Sequence, residues 1–331
     1  MTVREKSERL ETMSLCKYAC ISTNTEMTKR RHSEEQCPYR TDFQRDRDRI
    51  LHCNSFRRLK RKTQVFLSPV GDHYRTRLTH TLEVSQIART ISRCMELNED
   101  LTEAIALGHD LGHSPFGHCG EAVLNDICPH GFKHYLQSVR VAERLEKDGK
   151  GLNLTYAVLN GIECHTNMTA DTREGCVVRL ADTIAYINHD IEDSIRAGVL
   201  RSEQLPKECT AVLGETKTKR ITSLIASVIA HGSEKIDFEP NIRKAHDDLR
   251  SFMFKTVYTN PEAKQEEGKA ELLIRKLYSY FKENSAKMPV LYREIAEESD
   301  LDRAVCDYIS GMSDEYAVDL YTGLFVPKFW K

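Results

Sequence analysis

The sequence predicts an all-α protein, and three observations carry that reading. Apolar residues recur at spacings of three and four, sustained strand-like alternation is hard to find, and glycine- or proline-containing breakers separate the periodic stretches. Val84, Ile87, Ala88, Ile91 and Met95 fall on one helical face, and Leu101, Ala104 and Ile105 begin another. The breakers are SPVGD at 68–72, the glycines and proline between 112 and 117, CPHG at 128–131 and EKDGKG at 146–151. The pattern weakens between about 200 and 215, then resumes from Ile221 to Ile229 and from Leu272 to Tyr280. We expect an N-terminal arm over 1–40, a helical core over 41–200 and a helical C-terminal part over 201–331 packed on that core.

The 331 residues are 40% hydrophobic and 30% charged, enough for one large core or two small ones. No apolar run approaches the roughly 20 residues that span a bilayer. The first twenty residues lack the uninterrupted apolar centre of a signal peptide, so the expected location is cytoplasmic, with no membrane partner. Eleven irregularly spaced cysteines without a CxxC pair suggest reduced, mostly buried thiols. A net charge of −2 argues against bulk attraction to nucleic acid.

The chemistry concentrates in HDLGHSPFGHCGE, His109 to Glu121, which crowds three histidines and two acids among three glycines and a proline. His109 follows Ile105 by four and Leu101 by eight, so the apolar stripe carries it inward, and Gly112 and Pro115 end the helix just beyond. His80 precedes Val84 by four and Ile87 by seven, which puts it at the start of another buried face. Either histidine alone reads most simply as a hydrogen-bonded core residue. Two inward histidines with an adjoining Asp110 make a metal site an equal alternative. In RLADTIAYINHDIED, 179–193, Asp182, Tyr186 and Asp190 recur every fourth residue opposite Ile184, Ile187 and Ile191, as a solvated polar face would also do. His80, His109, Asp110 and Asp182 together would suit a divalent cation, with Mn, Fe, Zn or Ni preferred over Mg on ligand softness. Of the three His-Asp dipeptides, at 109, 189 and 246, only context distinguishes the functional ones.

HTLEV with His80, HD at 109–110 and RLAD with Asp182 resemble the HD-domain phosphohydrolase superfamily. FRRLKRKTQVF, GDHYRTRLTHTLEV, HDLGHSPFGHCGE and DYISGMSDEYA resemble its deoxynucleoside triphosphate triphosphohydrolase (dGTPase-like) branch, over roughly 39–195 with an island at 307–317. The resemblance implies a helical bundle that hydrolyses dNTPs, dGTP among them, to deoxynucleoside and inorganic triphosphate. It implies that His80, His109, Asp110 and Asp182 hold a divalent ion (Mn, Mg, Fe, Zn or Ni), that His118 and Glu121 are the catalytic pair, and that His113 and His134 are accessory histidines near the phosphates. Gln64 and Asp190 match residues that contact the sugar 3′-hydroxyl, Arg77 a phosphate-binding arginine, and Tyr186 a tyrosine placed to exclude a 2′-hydroxyl. Relatives commonly form homo-oligomers, often hexamers, and some respond to dNTP or single-stranded DNA effectors. The run RRLKRK at 57–62 reads equally as a solvated face or as a triphosphate or effector contact. Two rival readings remain at this level: another HD-superfamily phosphohydrolase, such as a 5′-nucleotidase or cyclic-nucleotide phosphodiesterase, and a noncatalytic nucleotide sensor.

Overall fold

In the computed structural model the described residues are 1–64, 74–259 and 261–328, the last range without the side chains of 261–265. Sixteen α-helices run through them: α1 (Val3–Ser14), α2 (Asp42–Leu51), α3 (Asn54–Arg58), α4 (Arg77–Cys94), α5 (Glu99–Gly108), α6 (Gly117–Ile127), α7 (His134–Arg140), α8 (Tyr156–Glu163), α9 (Arg173–Arg196), α10 (Lys207–Leu213), α11 (Lys217–His231), α12 (Pro240–Met253), α13 (Pro261–Glu283), α14 (Val290–Glu298), α15 (Leu301–Ser310) and α16 (Asp314–Phe325). No β-strand occurs among the described residues, only two isolated bridges, so the all-α expectation holds. The breaker at 68–72 lies outside the described residues.

The chain divides into two compact units, each assembled from separated segments. The first comprises residues 1–53, 79–109 and 152–260, and the second 54–78, 110–151 and 261–331. The first is built around α5, α8 and α9. Asn98 caps α5 by accepting from the Leu101 amide at 3.2 Å, and Glu99 and Asp100 sit favourably in its first turn. Thr172 caps α9 in the same way through the Gly175 amide at 3.1 Å. A Cβ at Gly161 of α8 would lie 2.4 Å from Ile105 of α5, so the missing side chain is what allows those two helices to approach. Ile184, Ile187 and Ile191 line the buried side of α9, as their spacing predicts.

Residues 1–40, expected as an arm, are packed into this first unit. Arg4, though charged, is buried and donates to Glu8 at 2.7 Å and Asp42 at 2.6 Å. Arg30 reaches Asp42 at 3.0 Å and Glu34 at 3.1 Å. The buried Glu174 carboxylate accepts from the Cys20 and Asn98 amides, each at 3.0 Å. Paired polar groups rather than an apolar stripe fasten this segment, which is why hydrophobic periodicity did not detect it.

The second unit has its own apolar core, where Val123 and Leu124 of α6 meet Ile274 and Leu277 of α13 and Val305 and Ile309 of α15. Glu146 pins α3 by accepting from the Asn54 amide at 3.1 Å and the Ser55 amide at 2.7 Å. None of the eleven cysteines is in a disulfide, and seven are buried. No described helix is long and apolar enough to cross a membrane.

Candidate active site

The first unit gathers His80, His109 and Asp182 in its interior. His109 caps α5, and its ring folds back so that Nδ1 lies 2.7 Å from the Ala106 carbonyl. Donation there assigns the lone pair of the neutral ring to Nε2, the atom that lies 3.9 Å from Asp182 Oδ1. His80 Nε2 is 3.0 Å from the same oxygen, and the two imidazoles meet edge to face at 5.7 Å. Both histidines are 1% exposed. Burial acts to raise the Asp182 carboxyl pKa, but the His80 hydrogen bond and the nearby histidines outweigh it and hold the group low and anionic. A half-buried carboxylate converging with imidazole nitrogens is a donor set that fits a borderline divalent cation. One ligand atom each of His109, His165 and Asp182 lies within 4.8 Å of the others, which adds His165, a residue the sequence reading missed.

Farther along the same face of α9, Asp190 is buried and accepts a hydrogen bond from the Tyr258 hydroxyl at Oδ2. Its Oδ1 has no partner among the described residues, and burial, opposed by that hydrogen bond, pushes the carboxyl up to about 7. Tyr186, one turn before, is half-buried, and burial pushes its hydroxyl up to about 12. The polar stripe of α9 is therefore half-buried at Asp182 and Tyr186 and buried at Asp190, and the solvated-face alternative fails for it. Next to Asp190, His189 is buried with Nε2 3.2 Å from Glu83 of α4. His246, in the third His-Asp dipeptide, is a core residue against the Phe238 ring at 5.2 Å, outside every metal-capable group among the described residues.

The second unit holds Asp110, His113, His118, Glu121 and His134, with Gln64 and Arg77. Glu121 is the hub, accepting from the His134 amide at 3.0 Å and from His134 Nδ1 at 2.9 Å, with His118 Nδ1 at 3.8 Å. Burial would raise its carboxyl, but the nearby His118 and the hydrogen bonds from His134 win and hold it well below the usual carboxylate range. His134 stacks on His113 at 4.5 Å. His113 is buried, and burial together with the Arg77 charge drives it far toward the neutral form. His118 is the outward member, its side chain 83% exposed. Arg77 is buried and donates through Nη1 to Asp110 Oδ2 at 2.8 Å, and Gln64 has a buried carbonyl oxygen without a partner among the described residues.

The small residues of HDLGHSPFGHCGE explain how so many side chains converge. Phe116 and Gly117 both adopt left-handed backbone, with φ of 61° and 57°, and turn the chain sharply into α6. A Cβ on Gly120 would lie 1.9 Å from the Pro115 carbonyl oxygen, and one on Gly112 would lie 2.1 Å from the Ser138 nitrogen. The DYISGMSDEYA island fastens this loop from within the unit. Asp314 accepts from the Phe116 amide at 2.9 Å and the Thr63 amide at 2.8 Å, and Asp307 accepts from Arg140 at 2.6 Å and Gln137 at 2.9 Å.

The basic run splits into two environments. Lys62 turns inward and donates to the carbonyl oxygens of His113 and Ser310, the latter at 2.9 Å. Burial, with Arg58 and Arg77 nearby, pushes its amine down to about 7. Arg57, Arg58, Lys60 and Arg61 instead line a cavity of about 660 Å³ with Tyr292, Tyr308 and Tyr316. That is within the size range of small-molecule sites.

Two family models match the chain: the HD domain over residues 77–187 and the phosphohydrolase-associated domain over residues 236–323. The second match extends the resemblance well beyond the island at 307–317. Among curated proteins, the deoxyguanosinetriphosphate triphosphohydrolase-like protein of Caldanaerobacter subterraneus is 54% identical, covering 100% of this chain and 98% of that protein. The protein of the same description from Clostridium perfringens is 49% identical over 99% of both chains, and that from Geobacter sulfurreducens 36% over 99% of both. The chain therefore belongs to the deoxyguanosinetriphosphate triphosphohydrolase-like family of HD-domain phosphohydrolases.

Proposed function

We propose that this protein hydrolyses deoxynucleoside triphosphates, dGTP among them, to the deoxynucleoside and inorganic triphosphate. The observation that carries this reading is the Glu121 hub, an anionic carboxylate that aligns His134 and leaves His118 projecting outward. That arrangement suits transfer of a proton to or from a phosphate ester. His80, His109 and Asp182, with Asp110 supplied by the residue that follows His109, would hold the divalent cation. When bound, that cation supplies Lewis-acid polarisation of phosphoryl oxygens.

In the proposed reaction the bond between the 5′ oxygen and the α-phosphorus breaks, a water oxygen joins phosphorus, and the 5′ oxygen departs with a proton. His118 holds and moves that proton, while Glu121 fixes the ring's orientation and balances its charge. Arg77 adds positive charge beside the phosphates. Gln64 and Asp190 each keep a buried oxygen with no partner among the described residues, as residues awaiting a sugar hydroxyl would. Tyr186 would close the space that a 2′-hydroxyl needs. The cavity lined by Arg57, Lys60 and the three tyrosines supports a site for a dNTP effector, its phosphates on the cations and its base against the rings.

Incubation of the purified, metal-loaded protein with each dNTP, rNTP and dNMP, with nucleoside and phosphate products resolved, tests the reading beside an Asp110→Ala control. Deoxynucleoside plus triphosphate, lost in the control, is expected. Action on monophosphates or diesters alone would place the chain among other HD hydrolases. Tight dNTP binding without turnover under any divalent metal would make it a sensor.

A further inference from the structure

His165 falls outside the metal-ligand set proposed above, yet the structure treats it as a twin of His109. Each follows the end of a helix, His109 after α5 and His165 two residues after α8. Each folds its ring back onto the carbonyl three residues earlier, His109 Nδ1 to Ala106 at 2.7 Å and His165 Nδ1 to Ile162 at 2.6 Å. Donation there leaves the Nε2 lone pair of a neutral ring as the ligand atom, the orientation that carbonyl-anchored metal histidines adopt. The rings meet edge to face at 5.0 Å, both are 2% exposed or less, and a nitrogen of each lies within 4.8 Å of Asp182 and of the other. The carbonyl ends of α5 and α8 both carry partial negative charge, which favours a cation beside them.

We propose that His165 is a further ligand of the ion held by His109 and Asp182, a third imidazole beside His80 and His109. This rests on the reading of His80, His109 and Asp182 as a metal centre and deepens it. A set so rich in imidazole selects borderline ions such as Mn, Fe, Co or Zn and disfavours Mg, whose preference is for carboxylate and water oxygen.

The test uses the full chain loaded with Co(II), whose paramagnetism shifts the exchangeable ring N–H proton of each ligated histidine far outside the ordinary proton spectrum. The wild-type protein is expected to show three such signals. His165→Gln should remove one and weaken Co(II) binding by at least about 10-fold, the smallest loss expected even for an outer-sphere partner. Only two shifted signals in the wild type, both retained with unaltered affinity in His165→Gln, would overturn the proposal. If His165→Gln does not fold, the wild-type count alone decides, three supporting and two overturning. His109→Gln separates this failure from failure of the centre as a whole. Loss of cobalt in that variant beside a silent His165→Gln leaves the centre standing without His165, whereas no shifted signal in any form removes both.

Discussion

Replacing Glu121 with glutamine keeps the shape of the hub and removes its charge. In the folded protein the carboxylate accepts from the His134 amide and from His134 Nδ1, with His118 Nδ1 close by. Glutamine offers one acceptor oxygen and turns N–H groups toward donors, so at least one charge-assisted hydrogen bond is lost, worth about 1.5–3 kcal/mol. Expressed only in the transition state, that is roughly a 10- to 150-fold loss of rate. Misalignment of His118 removes part of the further ~10²–10⁴ that a positioned acid-base group supplies. The expected outcome is a kcat for dGTP hydrolysis lowered by about 10²–10⁴, with KM little changed because Glu121 faces histidines rather than substrate. Because its folded pKa is depressed, Glu121 contributes stability above the ordinary carboxylate range and loses it as pH falls through the lower folded value. Glu121→Gln should therefore unfold with a flatter acid limb in a pH series of melting curves. A folded variant with that flattened limb and an unaltered kcat would refute the catalytic role of the hub.

Tyr186→Ala should relax discrimination against rNTPs, read as the ratio of kcat/KM for dGTP and GTP; an unchanged ratio rules Tyr186 out as the filter. Gly120→Ala, whose Cβ meets the Pro115 carbonyl at 1.9 Å, should destabilise by at least ~1–3 kcal/mol and lower the melting temperature by several degrees; a wild-type melt would contradict that packing. Lys62, pushed down to about 7 in the folded protein, binds its proton more tightly when unfolded, so its contribution to stability rises as pH climbs from about 7 toward 10.5. Lys62→Met should flatten that rise in denaturant titrations, and an unchanged slope would refute the assignment. Alanine at both Arg57 and Lys60 should abolish any stimulation by a second dNTP while leaving unstimulated hydrolysis in place, and retained stimulation would exclude the cavity they line as the effector site.

The helical class was legible because each core helix buries a regular stripe. His80 and His109 were legible as inward residues for the same reason, and four-residue spacing put Asp182, Tyr186 and Asp190 on one face of α9 without deciding its burial. What periodicity could not reveal was anything fastened by polar pairs. Residues 1–40 are held by Arg4, Arg30 and Glu174, and the loop that carries His113 and leads into the helix of His118 is held by Lys62 and Asp314. His165 was invisible because it follows a short helix, where no stripe extends far enough to assign it a direction. The pairing of His165 with Ile162 repeats that of His109 with Ala106, so a histidine just past a helix end, three residues beyond a buried apolar position, was the signal available.

In the proposed reaction water attacks the α-phosphorus and the intact triphosphate is released. Hydrolysis of dGTP in ¹⁸O-enriched water, with products resolved by mass, shows which bond is cut. One ¹⁸O atom is expected in the triphosphate and none in the deoxyguanosine. Label in the deoxyguanosine hydroxyl, or products consisting of dGMP and pyrophosphate, would contradict it.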